Sequence, residues 1–268
     1  MKRFIIFLVL TWATQFNSQA QKSSTTHAPI LISAHRGNTG RAPENTLATY
    51  KNALRLGVDF IEIDVRTSLD GKLVILHDGS LQRTTNGEGL VKNKTYIELK
   101  KLSAGKEFTG FKQEKIPSLE EVCQLISRWN FWHKKKTFIY VDCKEVVAKT
   151  LVEILQKYGL AKESCFYGSD AFLLSLKTEF PEARLMPSLR KKEEMADKLA
   201  KLKPYAFDAS FLSLTQEMVD EIHSNNIRVF TDLLGPLDTD VNYTKAALMG
   251  VDLIQTDKPA LVLKALHH

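Results

Sequence analysis

The chain is poor in cysteine, and its three cysteines lack the paired spacing of a zinc site or a disulfide framework. Cys123, Cys143 and Cys165 each stand in an apolar stretch of predicted strand or helix. Because a cysteine in such a stretch usually behaves as a small buried hydrophobe, we expect three buried thiols. A small scaffold held together by disulfides is excluded, although one pair could still oxidise in an exported protein.

The N-terminus carries no hydrophobic run long enough to cross a membrane. The apolar run from Phe4 to Trp12 is far shorter than the roughly 20 residues that a spanning helix needs. It follows two basic residues and precedes small side chains, which is typical of a secretory signal peptide. We expect residues 1–20 to be removed after Ala20, which leaves a protein exported to the periplasm or beyond without stable membrane insertion.

The rest of the chain has no stretch rich in proline, glycine or serine that would indicate a linker. About 245 residues remain after cleavage, which suits a single α/β barrel. We therefore predict a short tail at residues 21–29 and one domain at 30–268. The formal charge of +6 includes Lys2 and Arg3, so the mature chain carries +6 − 2 = +4. Its basic runs lack interleaved aromatics, so no nucleic-acid partner is expected, and the sequence does not indicate an oligomeric state.

Short apolar, β-rich runs alternate with longer segments of helical period, which is typical of a parallel sheet with crossover helices. We predict a TIM-type (β/α)8 barrel with a small insertion at about 79–117, a segment too long for an ordinary loop. Nine runs compete for the eight strand places: Leu31 to His35, Phe60 to Val65, Leu73 to His77, Thr137 to Asp142, Cys165 to Gly168, Arg184 to Met186, Tyr205 to Asp208, Ile227 to Phe230 and Leu253 to Gln255.

The run from Leu73 to His77 has two interpretations. It is either a barrel strand or the return arm of a hairpin, since Leu69 to Gly71 can form a tight turn directly before it. Helices are predicted between the strands. Asn45 and Thr46 can cap the first helix, and Ser118 with Glu121 forms a capping box for a later one.

One segment of βαβ size, residues 35–78, collects the residues that suit phosphodiester cleavage. It contains His35 and His77, whose imidazoles can take and give a proton near neutral pH. It also contains Glu62 and Asp64, whose carboxylates can hold a hard cation that neutralises a phosphate oxygen. The segment therefore indicates metal-assisted acid–base chemistry.

Strand periodicity places these polar residues on the inside of the predicted barrel. Glu62 and Asp64 share one side of their strand, and Asp142 and Lys144 share one side of theirs, while the apolar residues between them face the helices. The same alternation predicts an inner position for both histidines. Because these residues close their strands, they fall at the end of the barrel where barrel enzymes place catalytic groups.

Several motifs in order resemble the glycerophosphodiester phosphodiesterase family and cover nearly the whole mature chain. They read HRG, PENT, GVDFIEIDV, LVILHDGSLQRTTNGEG, YIELKKL, IPSLEEV and GVDLIQTDKP. The resemblance implies a TIM-type barrel, a divalent cation, and hydrolysis of a glycerophosphodiester to glycerol 3-phosphate and an alcohol. In that case the partner of the protein is a small-molecule glycerophosphodiester.

The resemblance also assigns roles to residues. It implies that His35 and His77 are the acid/base pair and that Glu62 and Asp64 are metal ligands. Asp142 resembles the third ligand, but the family usually has glutamate there, and aspartate is one methylene shorter. The cation must then move, or a water must bridge, or the site binds metal less tightly. For the cation we expect Ca²⁺ in preference to Mg²⁺.

Further residues are expected around these groups. Arg36 can clamp the phosphate with two hydrogen bonds, and Lys144 resembles the family's lysine that meets the same phosphate. Glu44 is expected to orient the first loop, and Asp78 to support the site from behind. Phe230 stands where the family commonly has tryptophan, so it is a candidate for the substrate pocket.

Two other functions stay open on the sequence alone. One is a phospholipase of the lysophospholipase D or phosphoinositide-cleaving kind on the same barrel, which would need an apolar rim. The other is a barrel that binds phosphodiesters without cleaving them. Also open are the alcohol of the substrate, which histidine is the acid, and whether water or the glycerol 2-hydroxyl attacks the phosphorus.

Overall fold

The computed structural model describes residues 29–37 and 40–266, so the expected signal peptide lies outside the described residues. The strands are β1 Leu31–Ala34, β2 Phe60–Thr67, β3 Leu73–Ile75, β4 Phe138–Glu145, β5 Cys165–Tyr167, β6 Arg184–Met186, β7 Ser188–Leu189, β8 Ala206–Ala209, β9 Arg228–Leu233 and β10 Leu253–Thr256. The helices are α1 Leu47–Leu56, α2 Tyr96–Lys101, α3 Leu119–Trp132, α4 Ala148–Lys157, α5 Asp170–Glu179, α6 Met195–Leu202, α7 Gln216–Ser224, α8 Asp240–Met249 and α9 Pro259–Leu266.

The strands form a parallel barrel with helices around it, as the sequence predicts. Neighbouring strands follow the order β6, β5, β4, β2, β1, β10, β9, β8 and β7. β6 and β7 together occupy one strand position of the barrel. The strand is interrupted at Pro187, because proline has no N–H to donate to a neighbouring strand. β6 pairs with β5 and β7 with β8, and the N–H of Tyr205 donates to the carbonyl of Leu185 at 2.9 Å. That bond helps to close the ring.

β3 is the return arm of a hairpin and takes no place in the barrel. It pairs antiparallel with the end of β2, Val65 opposite Ile75 and Thr67 opposite Leu73. Gly71 has φ +78°, a backbone conformation that the tight turn before β3 requires and that glycine adopts without strain. The ambiguity among the nine predicted strands is resolved in favour of the hairpin.

Side chains separate onto the two faces of the barrel wall with a period of two. Ile61, Ile63 and Val65 belong to the large core between strands and helices. Phe60 and Tyr140, on the opposite face, belong to a smaller cluster inside the barrel. The helices start where the sequence predicts caps: the Thr46 hydroxyl caps α1, and Ser118 with Glu121 forms the capping box of α3.

The segment after β3 forms a small layer with its own core. It contains α2 and a cluster of buried apolar side chains, among them Leu81, Val91, Leu99 and Ile116. Residues 79–117 therefore form a folded layer, which we call the cap. All three cysteines are buried and free, as expected. Within the described ranges, no helix has the length and apolar character needed to cross a membrane.

Candidate active site

The end of β1 turns sharply to present the first histidine and arginine. His35–Gly37 forms a 3₁₀ turn in which Arg36 has φ +47°. The Arg36 N–H donates to Glu62 Oε2 at 2.7 Å. Gly37 has φ +84°, and a Cβ there would lie 2.5 Å from the Tyr50 ring. Only glycine fits, so the HRG motif is fixed by this turn as well as by chemistry.

Three carboxylates converge at the mouth of the barrel, which is the C-terminal end of its strands. Glu62 and Asp64 come from β2 and Asp142 from β4, and each offers an oxygen within 4.8 Å of the others. Asp64 and Asp142 are register partners on the two neighbouring strands. Asn45 holds Asp64 in place, because its Nδ2 donates to Asp64 Oδ2 at 2.7 Å while its Oδ1 accepts from the Tyr50 hydroxyl at 2.7 Å.

The three carboxylates repel one another. Burial and the charges of Asp64 and Asp142 raise the pKa of Glu62 well above its usual range. Burial also raises the pKa of Asp142, although nearby Lys144 opposes the effect. Because burial and like charges disfavour the ionised forms, the cluster gains from any cation placed among them.

The donor set fits a hard divalent cation. It consists of carboxylate oxygens alone, which Ca²⁺ and Mg²⁺ prefer, and it offers no thiolate or imidazole. Asp64 Oδ1 is buried and accepts no hydrogen bond from any residue that the structure describes. Asp64 Oδ1 instead forms an ion pair with Lys144 Nζ, at 3.4 Å. The same Nζ lies 2.5 Å from Asp142 Oδ2. A buried oxygen without a hydrogen bond is uncommon, and a metal ligand is one explanation for it.

Two basic side chains, Arg36 and Lys144, lie next to the triad. Arg36 Nη1 donates to Glu44 Oε1 at 3.1 Å, and its Nε lies 3.7 Å from Asp64 Oδ2 without a hydrogen bond. Burial alone would lower the pKa of Lys144, but the charge and hydrogen bond of Asp142 raise it. Lys144 therefore stays charged, and both side chains lie where a phosphate bound at the triad would meet them.

Each histidine is held through its Nδ1 by a carboxylate. His35 Nδ1 lies 2.7 Å from Asp257 Oδ1, and His77 Nδ1 lies 2.7 Å from Asp78 Oδ1. No described residue hydrogen-bonds the Nε2 atom of either ring. A carboxylate at Nδ1 favours the tautomer with hydrogen on that atom, so Nε2 of the neutral ring is free to accept a proton.

Arg83 connects the cap to the first loop of the barrel. Its guanidinium donates to both oxygens of Glu44, at 2.8 and 2.9 Å, and to both oxygens of Asp78, at 2.6 and 3.0 Å. The hydrogen bond from Arg83 outweighs burial, and with His77 it holds the pKa of Asp78 far below its usual range. A chain of charged contacts thus runs from Arg36 through Glu44, Arg83 and Asp78 to His77.

The structure brings the sequence-predicted residues together at one end of the barrel, with one difference in how they get there. Strand alternation predicts an inner barrel position for His77 together with Leu73 and Ile75, which lie four and two residues before it. This prediction is wrong, because Leu73 and Ile75 pack in the core between sheet and helices. His77 instead follows the hairpin arm β3 and reaches the site from outside the ring of barrel strands.

Phe230 lies inside the barrel beneath the site. It is 1% exposed, and its ring centroid lies 6.4 Å from that of Phe60 and 6.3 Å from that of Tyr205. Its contacts are those of a core residue, and a role in the substrate pocket stays a prediction.

Sequence reasoning missed three residues that organise the site: Asn45, Arg83 and Asp257. Asn45 was read as a helix cap, but its side chain supports Asp64. Asp257 is part of the late motif GVDLIQTDKP and directly follows β10, the strand that pairs with β1. Neighbouring parallel strands end at the same edge of the barrel, so a polar residue just after β10 should lie near His35, which follows β1. That position in the sequence could have indicated Asp257 as a site residue.

Comparison with known proteins is consistent with this geometry. A family model described as "Glycerophosphoryl diester phosphodiesterase family" matches residues 35–261. A glycerophosphodiester phosphodiesterase of Caldanaerobacter subterraneus is 30% identical over 87% of this chain and 96% of its own. One of Bacillus altitudinis is 33% identical, also over 87% of this chain and 96% of its own.

A solved structure resembles the whole barrel. The phosphodiesterase of Oleispira antarctica in complex with the product sn-glycerol-3-phosphate superposes with a TM-score of 0.80 at 27% identity. The match covers 90% of this chain and 98% of that one.

Proposed function

The chain belongs to the glycerophosphoryl diester phosphodiesterase family and hydrolyses glycerophosphodiesters, and we propose that it does so by metal-assisted acid–base catalysis with His35 and His77. The products are glycerol 3-phosphate and an alcohol. The single observation that carries the proposal is the convergence of two free imidazole Nε2 atoms, two cations and three carboxylates at one barrel mouth.

In the proposed reaction, the phosphate lies between Arg36 and Lys144. One histidine takes the proton of the attacking hydroxyl, which is water or the 2-hydroxyl of the substrate's own glycerol. The other gives a proton to the departing alkoxide. Attack by the 2-hydroxyl would give a cyclic phosphate that water then opens. Arg36 and Lys144 stabilise the negative charge that develops on the phosphoryl oxygens.

Glu62, Asp64 and Asp142 would hold the divalent cation. When bound, it would neutralise a phosphoryl oxygen and lower the pKa of a hydroxyl group near it. We propose Ca²⁺ over Mg²⁺ because Ca²⁺ accepts irregular oxygen cages, whereas Mg²⁺ demands a near-ideal octahedron. The short Asp142 side chain, held by Lys144, makes a regular cage harder to build.

We also propose that the protein is exported, on the basis of the basic and apolar residues at its N-terminus. Fractionation of cells that express the full chain tests this. A mature form that begins near residue 21 in the exported fraction would support the proposal, and an unprocessed form in the cytoplasm would contradict it.

The reaction is tested by release of glycerol 3-phosphate from glycerophosphodiesters with added Ca²⁺, with added Mg²⁺ and with a chelator. We expect release that the chelator abolishes and that Ca²⁺ restores best. Asp142→Asn should weaken the response to metal, whereas Asp220→Asn on the surface of α7 serves as the matched control. Undiminished release in the chelator would contradict the metal-assisted mechanism.

A further inference from the structure

A second polar cluster lies at the barrel mouth beside the triad, and the mechanism above does not use it. It consists of Tyr140, Tyr167, Arg190, Asp208 and Asp232, which we call the β8–β9 pocket. Its members come from β4, β5, β8 and β9 and from the residue after β7. Tyr167 is the register partner of Asp142, so the pocket directly adjoins the proposed metal ligands.

One of the two pocket carboxylates already has a cation. Asp208 is 2% exposed, and its Oδ2 accepts a hydrogen bond from Arg190 Nη2 at 2.8 Å. The same nitrogen lies 3.4 Å from the Tyr167 hydroxyl. Arg190 is therefore paired with Asp208, and its contact with the Tyr167 hydroxyl positions the Tyr167 ring at the edge of the pocket.

The other carboxylate has no such partner. Asp232 Oδ1 accepts a hydrogen bond from Gln255 Nε2 at 2.9 Å, and the Gln255 Oε1 accepts one from the Ser33 hydroxyl at 3.3 Å. Gln255 is neutral, and among the described residues no lysine, arginine or histidine forms an ion pair with Asp232. Burial and the charge of Asp208 raise the pKa of Asp232 well above its usual range. The charge of Arg190 opposes this rise, but its hydrogen bond goes to Asp208, so a cation placed beside Asp232 would stabilise the ionised form of Asp232.

A hydroxyl without a hydrogen bond lies near the same carboxylates. Tyr140 is 3% exposed, and its hydroxyl makes no hydrogen bond to any residue in the described ranges. The charges that act on this hydroxyl are those of Asp208, Asp232 and Asp142. Among the described residues, the fully buried side-chain atoms without a hydrogen-bond partner are Arg36 Nε and Asp64 Oδ1, so the unpaired Tyr140 hydroxyl keeps some accessible surface. A ligand that enters between the carboxylates can therefore reach this hydroxyl.

We propose that the β8–β9 pocket binds the alcohol arm of substrates in which that arm carries an ammonium group. The inference rests on the proposed function and names its preferred substrate class, diesters of amino alcohols. The Asp232 carboxylate supplies the opposite charge, and the Tyr140 hydroxyl supplies a polar contact. The rings of Tyr140 and Tyr167, whose centroids are 6.3 Å apart, offer faces on which a cation is attracted.

Steady-state kinetics of Asp232→Asn test the pocket. The two substrates are glycerophosphoethanolamine, with a cationic arm, and glycerophosphoglycerol, with a neutral arm. Loss of a charge-assisted contact should lower kcat/KM for the first substrate by about 10- to 100-fold. The value for the neutral diester should stay within about twofold, and Asp232→Glu should restore part of the loss. Equal losses on both substrates, or no loss on either, would overturn the proposal.

A binding measurement separates the pocket from the reaction. Titration calorimetry of glycerophosphoethanolamine into the His35→Ala protein, alone and combined with Asp232→Asn, reports affinity without turnover. Affinity that falls by about tenfold or more with Asp232→Asn supports the pocket even if the wild type hydrolyses no diester. Unchanged affinity overturns the pocket even if hydrolysis of every diester is observed.

Discussion

Each proposed acid–base histidine has its own carboxylate partner, and the two partners differ in their surroundings. Asp78 shares its charge with the Arg83 guanidinium. Burial alone would raise the pKa of Asp257, but the hydrogen bond and charge of His35 outweigh it and hold that pKa below its usual range. Asp257 is thus an ionised group that orients one imidazole, which makes it a positioning residue.

Replacement of Asp257 by asparagine should separate orientation from binding. We expect kcat to fall by about 10- to 100-fold, because a misoriented imidazole loses part of the contribution of acid–base catalysis. KM should change little, since Asp257 does not meet the phosphate. Steady-state kinetics and the pH profile of kcat are the measurements, with Asp220→Asn as the control. A rise in KM with unchanged kcat would assign Asp257 to substrate binding.

Glu62 should destabilise the metal-free protein. Its raised pKa means that burial and two like charges oppose its ionisation, so Glu62→Gln removes an unfavourable charge but keeps an acceptor for the Arg36 N–H. We expect a higher Tm in chelator, by about 2–4 °C for each kcal/mol relieved. Added Ca²⁺ should raise the Tm of the wild type more than that of the variant. A lower Tm of the variant in chelator would contradict this account.

Sequence reasoning named the residues at the centre of the candidate site but missed those that hold them in position. The two histidines, the acidic residues of β2 and β4 and Lys144 were identified because strand alternation and motif order mark them. Asn45, Arg83 and Asp257 were missed, since their roles depend on contacts between segments far apart in the chain. The alternation that predicts a strand face says nothing about such contacts.

At the scale of elements, the Arg83 side chain joins the cap after β3 to the barrel at the site. Arg83 is 43% exposed, yet it bridges Glu44 in the first loop and Asp78 beside His77. Its ionic contacts are partly screened by solvent, so their contribution to stability is small. Their effect is to fix the distance between the two sides of the site.

Arg83→Gln should therefore lower activity more than stability. We expect kcat to fall by about fivefold to 20-fold because His77 loses its fixed position, within the range that acid–base catalysis contributes. The Tm should change by less than about 2 °C. Activity assays and thermal melts on the same samples measure both. Lys106→Gln, also in the cap, is the matched control, and a large loss of Tm with normal activity would contradict the role given to Arg83.

Element boundaries show where local patterns are insufficient. The run at β3 has the composition of a barrel strand, and only its antiparallel pairing with β2 excludes it from the ring. The strand position shared by β6 and β7 is interrupted at Pro187, yet it pairs with β5 on one side and with β8 on the other. In both cases the partner strand decides the outcome, and a partner strand cannot be identified from local periodicity.

At the scale of the whole molecule, the barrel was predictable because alternating strands and helices leave few topologies. A parallel sheet whose strands are joined by helices must bury both of its faces. Eight such strands close into a barrel, and the loops lie at its two ends. Because the polar residues close their strands, the C-terminal end of the barrel is the one expected to carry the site. The charge balance of the barrel mouth was not predictable, because it depends on which carboxylates face each other across the barrel.

That charge balance links metal binding to pH. The raised pKa values of Glu62 and Asp142 mean that the folded metal-free protein keeps protons that the unfolded chain releases. Stability from these groups is present at low pH and is lost as pH rises above the ordinary carboxylate range near 4.5. A bound cation stabilises the ionised carboxylates of the folded protein and so offsets this loss of stability. The increase in Tm on adding Ca²⁺ should therefore grow between about pH 5 and 8, and thermal melts across that range check it. An increase that shrinks as pH rises would contradict this linkage.

The most direct measurement for the central claim is the initial rate of glycerol 3-phosphate release by the wild type, His35→Ala and His77→Ala, with Ca²⁺ present and with folding verified by circular dichroism. The account predicts metal-dependent release by the wild type and a loss of about 100-fold or more in each variant. Release by either variant at the wild-type rate would contradict acid–base catalysis by the two histidines.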